Sequence, residues 1–274
     1  MQFNFQLYQE TWYELTQKDN FTEAVIQSIP LQVFETIASS NTQLWELIDG
    51  GNLTPTSVIA LEQTAGKGQW GRVWQSSLGG LYLSVGISPQ ISLSNNAHLV
   101  MSTAWGIATI LRNYSLPVLL KWPNDLILDG YKLGGIKIET RTRQQQITHA
   151  VIGVGINWLN TVPPMAINLQ SYYQKFPTNR HIFSLEALSA IAIYGILYGY
   201  EYYRTVGIEC LVNSYLEILL TLGQKIAFNG CSGEVIGVSD RGELTVKLKS
   251  QGATTTINLS PGQINLGYGV ISNK

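Results

Sequence analysis

The order of strand-like and helix-like patterns predicts an α+β protein, with a mixed β-sheet flanked by helices and a small β-barrel at the C-terminus. Three observations carry this. Strand patterns between Leu31 and Asn157 are joined mostly by links too short for crossover helices, so the sheet is mixed or largely antiparallel. Helical patterns interrupt the strands and then dominate from about Ser184 to Leu222. From Gly223 onward the chain turns to short strands at regular spacing, the signature of a small barrel. The expected divisions are residues 1–30, 31–222 and 223–274.

Leu31 to Ile37 alternates apolar and polar residues as a strand does. Ser39-Ser40-Asn41 then reads as the cap of a helix from Thr42 to Asp49, stopped by Gly50-Gly51. Ser57 to Leu61 is a short apolar strand that delivers a glycine-rich loop, and Leu81 to Ile87 is the β-rich run that leaves it. A helix is expected from Ala97 to Asn113. Strands follow at Val118 to Lys121, Leu126 to Asp129, Gly135 to Thr140 and Thr148 to Asn157. Two helices, Ser184 to Thr205 and Ile208 to Leu222, precede the barrel strands near residues 224–228, 233–238, 244–248 and 254–259.

Composition excludes several function classes. The 274 residues can bury a full core without disulfides or metal, and a formal net charge of −1 gives no global attraction to nucleic acid or to an anionic membrane. Residues Met1 to Ile29 carry Glu10, Glu14, Asp19 and Glu23 against Lys18 alone, an acidic balance unsuited to gripping DNA. Ala187 to Tyr200, the most apolar stretch, is shorter than the ~20 residues that cross a bilayer, so it reads as a buried helix. The opening Met1 to Gln6 lacks a basic and an apolar region, which implies a cytoplasmic protein. Cys210 and Cys231 have neither CxxC nor Cys/His spacing and are expected to be packing residues.

Two segments carry chemistry. Gln63 to Trp74 is a glycine-rich loop with Lys67 and Arg72 set among Trp70 and Trp74. Its Gly66-Lys67-Gly68-Gln69-Trp70-Gly71 matches G-x-G-x-x-G, yet no helix opens after it and Val73 to Leu111 holds no acid, so the dinucleotide reading fails. The kinase form fails as well, because neither HRD nor DFG occurs. A flexible surface connection explains the glycines but not the cations and tryptophans; a long loop on a rigid scaffold suits a lid. The second segment is Lys121-Trp122-Pro123-Asn124-Asp125, followed closely by Lys132-Leu133-Gly134-Gly135-Ile136. A plain hairpin accounts for Pro123 and Gly130 but does not require Lys121, Asp125 and Lys132 together.

These segments, with Ser39-Ser40-Asn41 ahead and Gly153-Val154-Gly155-Ile156-Asn157 behind, resemble the biotin protein ligase family from about Val33 onward. The resemblance implies the mixed-sheet catalytic domain shared by class II synthetases and biotin/lipoate ligases, with an SH3-like C-terminal domain. It implies joining of biotin to ATP as biotinyl-5′-AMP, Mg²⁺ accompanying ATP, then transfer to a lysine of a biotin carboxyl carrier protein, such as that of acetyl-CoA carboxylase. No nucleic-acid or membrane partner is implied, because residues 1–30 are too short and acidic for the DNA-binding domain of the family's regulatory members.

By the same resemblance Lys132, Arg72 and Asp125 are the catalytic candidates. Ser39, Gln63, Gly66, Lys67 and Gly135 match the biotin contacts. Ser40, Asn41, Gly68, Gln69, Trp74, Asn124 and Asn157 fall with Arg72 and Lys132 around the adenylate. The family loop most often reads Gly-Arg-Gly-Arg, so Lys67 keeps a charge without the planar fork of arginine and Gln69 lacks the charge. Lipoate and octanoate ligases, which share the architecture, and a non-catalytic binding module are the alternatives.

Overall fold

A computed structural model describes residues 3–18, 29–179, 181–250 and 253–267. Asp19 and Glu23 of the acidic N-terminal stretch lie outside the described residues. The elements are helix α1 (Phe5–Lys18), strand β1 (Leu31–Ile37), helix α2 (Ser40–Asp49), strands β2 (Thr56–Gln63), β3 (Leu81–Ile87) and β4 (Ile91–Ser92), and helix α3 (Asn96–Asn113). Then come β5 (Leu119–Lys121), β6 (Asp125–Leu128), β7 (Tyr131–Arg143), β8 (Gln146–Ile156), α4 (Leu169–Lys175) and α5 (Leu185–Glu217). Four strands close the described chain: β9 (Lys225–Phe228), β10 (Cys231–Val238), β11 (Leu244–Ser250) and β12 (Ala253–Leu259).

The main sheet runs β1-β2-β3-β8-β7-β6-β5, with β4 attached to β8. Only the β1 and β2 pair is parallel; every other neighbour in this sheet is antiparallel. This is the mixed sheet that the short links require, and the interposed α2 lets β2 return alongside β1 in the same direction. Central strand β3 is buried along its whole length, so its Leu-Tyr-Leu-Ser-Val-Gly-Ile sequence is almost continuously apolar.

α3 and α5 pack against each other through small residues. A Cβ on Gly195 would sit 2.7 Å from Ile107 Cα, and one on Gly199 would overlap the Ser102 carbonyl oxygen, so the two backbones approach as only glycine permits. α5 absorbs both helices expected after Ser184; its single break is Gly207, with φ 81° and ψ 180°, a conformation costly for residues with a side chain. Ser184 caps it by accepting from the Ala187 N–H.

Three expectations need correction. The C-terminal strands form an open antiparallel sheet of order β12-β11-β10-β9, which fits an SH3-like domain but is not a closed barrel. Cys210 is exposed on α5 rather than buried as a packing residue, whereas Cys231 packs against the core. The helix after β1 begins at Ser40, and Ser39 holds the N-cap position without a side-chain cap bond. Beside these, helix α1, on which the sequence carried no structural expectation, adds Tyr8, Trp12 and Leu15 to the main core; Trp12 meets Tyr194 of α5 edge-on at 5.9 Å.

The two sheets meet at the turn following β10. His98 of α3 is bound through Nε2 to the Asp240 carbonyl at 2.6 Å and through Nδ1 to the Tyr203 hydroxyl at 2.9 Å. A carbonyl only accepts, so Nε2 carries the proton and Nδ1 accepts from tyrosine. Trp122 Nε1 donates to the Gly242 carbonyl at 2.9 Å, tying the same turn to the Lys-Trp-Pro-Asn-Asp segment.

Candidate active site

Two adjoining cavities meet at Lys132. The outer one has a volume of about 790 Å³ and the inner one about 60 Å³; Gly68, Gln69, Trp74, Asn124 and Lys132 line both. The outer cavity adds Arg72, Lys121, Asp125 and Asn157, whereas the inner one adds Ser39, Gln63, Lys67, Gly135 and Lys137.

The inner cavity is built where the N-terminus of α2 faces the centre of the sheet. Gln63, at the end of β2, accepts from the Ser40 N–H at 2.8 Å and donates to Ser76 Oγ at 2.8 Å, which fixes the orientation of its amide. It supplies the acceptor at the helix start that Ser39 does not. Ser84 of β3 donates to Asn41 Oδ1 at 2.6 Å and accepts from Ser40 Oγ at 2.8 Å, so a buried polar group sits inside an otherwise apolar strand. The Asn41 carboxamide lies over Gly153 of β8, where a Cβ would overlap it. Lys67 Nζ donates to Thr42 Oγ1 at 3.0 Å.

In the outer cavity the cations gather. Lys132 Nζ is 2.6 Å from Asp125 Oδ1, and both side chains keep some contact with solvent. Lys121 is buried, and that burial holds its ammonium below the ordinary lysine range; Asp125 opposes the shift, while the Lys132 and Arg72 charges reinforce it. A pocket concentrating three cations attracts an anionic group. Asn124 Nδ2 and Gln69 Nε2 both donate to the Ile136 carbonyl, at 2.8 and 3.3 Å. Asn157 is held by Asn160, whose Nδ2 donates to Asn157 Oδ1 at 3.0 Å.

The glycine loop folds back as a small hairpin. Gly68 N–H donates to the Arg72 carbonyl at 2.7 Å and Trp74 N–H to the Gly66 carbonyl at 3.0 Å, while Trp70 at the tip has φ 57°. The exposed Trp70 ring lies against Gly262, so the loop meets the segment after β12 across the cavity mouth. Pro261, Gly262, Ile264, Asn265 and Leu266 complete that wall. Trp74 lies on Gly155, where a Cβ would be 2.5 Å from its Nε1. Lys132 Nζ stands 5.3 Å from the Trp74 ring centroid, within cation–π range.

Residues 33–157 match the model of the biotin/lipoate A/B protein ligase family, a span that contains every one of the cationic side chains just described. That stretch is similar to the family. Among its relatives, the bifunctional ligase/repressor BirA of Bacillus spizizenii is 32% identical over 138 residues, covering 50% of this chain and 42% of the relative. The human biotin–protein ligase is 25% identical over 202 residues, 69% of this chain and 28% of the relative. The chain thus spans about two-fifths of the length of the first of these curated relatives. Among solved structures, the Aquifex aeolicus biotin protein ligase in complex with biotin and ATP superposes with a TM-score of 0.63 at 22% identity, covering 84% of this chain and 99% of that one. The Leishmania major biotin protein ligase with biotinyl-5-AMP gives 0.56 at 21% identity, covering 85% of this chain and all of that one (100%). At these identities the structures speak for the fold.

Within this fold, Ser39, Gln63, Lys67 and Gly135 line the inner cavity together, and Arg72, Asp125 and Asn157 line the outer one. Gly68, Gln69, Trp74, Asn124 and Lys132 stand between. Ser40 and Asn41 face the inner cavity, on the side of the biotin candidates rather than of the adenylate candidates. Gly66 lines neither; a Cβ there would overlap Ser76 Oγ and the Trp74 carbonyl, so its place in the motif reflects loop closure. Sequence reading assigned no role to Lys121, Lys137, Asn160 or the 261–266 segment. Strand alternation carried a signal for Lys137, two residues beyond Gly135 and on the same face. For 261–266 no local pattern existed, since only the docking of the second sheet brings it to the cavity.

Proposed function

We propose that the protein is an ATP-dependent biotin protein ligase, a reading carried by Lys132 at the junction of a polar inner cavity and a cationic outer one. The biotin carboxylate reaches the junction from the inner side and the ATP α-phosphate from the outer side. A carboxylate oxygen attacks the α-phosphorus, pyrophosphate leaves, and biotinyl-5′-AMP forms. Bringing two anions to about 4 Å costs roughly 1 kcal/mol in water and several times that in a protein-like environment, which Lys132 offsets by sitting where both charges gather. Arg72 and Lys121 receive the phosphate chain, and Trp74, Asn124 and Asn157 border the nucleotide.

In the second step a lysine amine of a biotin carboxyl carrier protein attacks the acyl carbon, AMP leaves, and the amine loses a proton. Asp125, paired with Lys132, orients or accepts that proton. The mixed anhydride is open to hydrolysis, and the Trp70 and Trp74 loop meeting the 261–266 segment limits water. Among the described residues no cluster of three His, Cys, Asp or Glu side chains could hold a metal ion. Mg²⁺ carried by the ATP phosphates would supply charge neutralisation there. No helix among the described residues is long and apolar enough to cross a membrane. ATP and carboxyl carriers are cytoplasmic reactants, and we place the reaction there.

The test is ATP/pyrophosphate exchange with biotin, lipoate and octanoate in parallel. Exchange that depends on biotin alone is expected. Dependence on lipoate or octanoate would transfer the chain to the other branch of the family, and no exchange with any acid would leave only a binding role.

A further inference from the structure

The inner cavity is lined by a lysine that the reaction just described does not use. Lys137 of β7 lines this cavity and pairs with Glu139 at 3.2 Å, both side chains about a quarter exposed (27% and 29%). Glu139 is engaged on its other oxygen by Trp45 Nε1 at 3.1 Å. Its carboxyl is held below the ordinary range: burial alone would raise it, but hydrogen bonds from Asn41, Lys137 and Trp45 with the Lys137 charge outweigh that. The acid is thereby anchored from three sides. The ammonium it pairs with has three N–H donors, and the ion pair uses one.

Its position in the cavity follows from the strand register. Lys137 stands directly opposite Gly153, and it is over Gly153 that the Asn41 carboxamide lies. Facing residues of an antiparallel pair have side chains roughly 5 Å apart, so Lys137 borders Asn41. Lys132 is at the other end, where the two cavities join. A substrate with its carboxylate at Lys132 places its opposite end by Asn41 and Lys137.

We propose that Lys137 determines specificity at the inner cavity by donating a hydrogen bond to an acceptor oxygen on the substrate's uncharged head, and by repelling a head that is itself cationic. This rests on the biotin reading, in which that oxygen is the ureido carbonyl. Glu139 holds the ammonium in place and Asn41 borders the same head.

The measurement is the KM for biotin and for 2-iminobiotin in ATP/pyrophosphate exchange by the full chain, its Lys137→Met variant and its Lys137→Arg variant. 2-Iminobiotin carries a guanidinium-like head in place of the urea, cationic at neutral pH as arginine is. Loss of the donor is expected to raise the biotin KM about tenfold with kcat and the ATP KM within about twofold. The preference for biotin over 2-iminobiotin should narrow at the same time, and Lys137→Arg should restore it. A general packing defect would instead raise both KM values by one factor, which overturns the proposal, as does an unchanged biotin KM. Wild-type protein without any biotin-dependent exchange overturns the ligase reading and this assignment with it. Exchange that is present but indifferent to Lys137 overturns this assignment alone.

Discussion

Lys132 and Asp125 face each other across the β6 and β7 hairpin because the register slips between them. Asp125 pairs with Gly135 and Leu126 with Gly134, but Ile127 pairs with Lys132, leaving Leu133 as the extra residue of a bulge. In an unbroken ladder Lys132 would oppose Leu128 and point to the other side of the sheet. The bulge rotates it onto the face of Asp125, where the ammonium and carboxylate lie 2.6 Å apart.

Removing the cation should therefore stop the first chemical step rather than weaken binding in general. Lys132→Ala is expected to reduce biotin-dependent exchange on the order of 10²- to 10³-fold, as deletion of a group stabilising transition-state charge does. The biotin KM should change far less than kcat. A variant with full exchange would remove Lys132 from the mechanism.

Gln69 stands where both cavities meet and donates to the Ile136 carbonyl at 3.3 Å. An arginine there brings a charge and a fork of donors toward the phosphate side. The Gln69→Arg variant is expected to retain the acyl-adenylate longer, with release slowed about tenfold, equivalent to roughly 1.4 kcal/mol. Stopped-flow or filter-retention measurement of bound intermediate gives the rate; equal release from both proteins would argue against a phosphate contact at this position.

The Trp74 indole needs a bare backbone beneath it. A Cβ at residue 155 would be 2.5 Å from both Nε1 and Cε2, closer than side chains tolerate. Gly155→Ala should push the indole off the β8 strand and raise the ATP KM by about tenfold, a loss of the size that misplacing one aromatic partner produces. An ATP KM equal to the wild-type value would show that Trp74 does not shape the nucleotide side.

His98 makes the joint between the sheets sensitive to acid. Burial holds its imidazole below the ordinary 6.5, with the Asp240 carbonyl acting weakly the other way. The native protein then binds fewer protons than the unfolded chain, so the contribution is present above about pH 6.5 and is lost as the pH falls through the lower native value. Between about pH 7.5 and pH 5.5 the melting temperature of the wild type should fall more steeply than that of His98→Gln, which lacks the titrating group. Parallel pH dependences of the two proteins would exclude His98 as the source.

The amino-acid sequence by itself determined the element order, the mixed sheet and the two segments that carry the cations, because each depends on residues close in the chain. Apolar periodicity specifies strands and helices within a window of a few residues, and Lys121 to Ile136 is one local hairpin whose charges travel together. The gap expected between Thr205 and Ile208 falls on Gly207, where α5 breaks. Tertiary structure alone decided what those elements touch. It docked α1 through Trp12 onto Tyr194, laid Asn41 over Gly153 and Trp74 over Gly155, and brought 261–266 to the cavity mouth. These contacts join residues far apart in the chain and are chosen by shape, by the burial of whole faces and by the absence of a Cβ at one point, none of which leaves a periodic trace. Ser40 and Asn41 show the consequence: their chemistry was legible, but the cavity they serve depends on how α2 lies on the sheet.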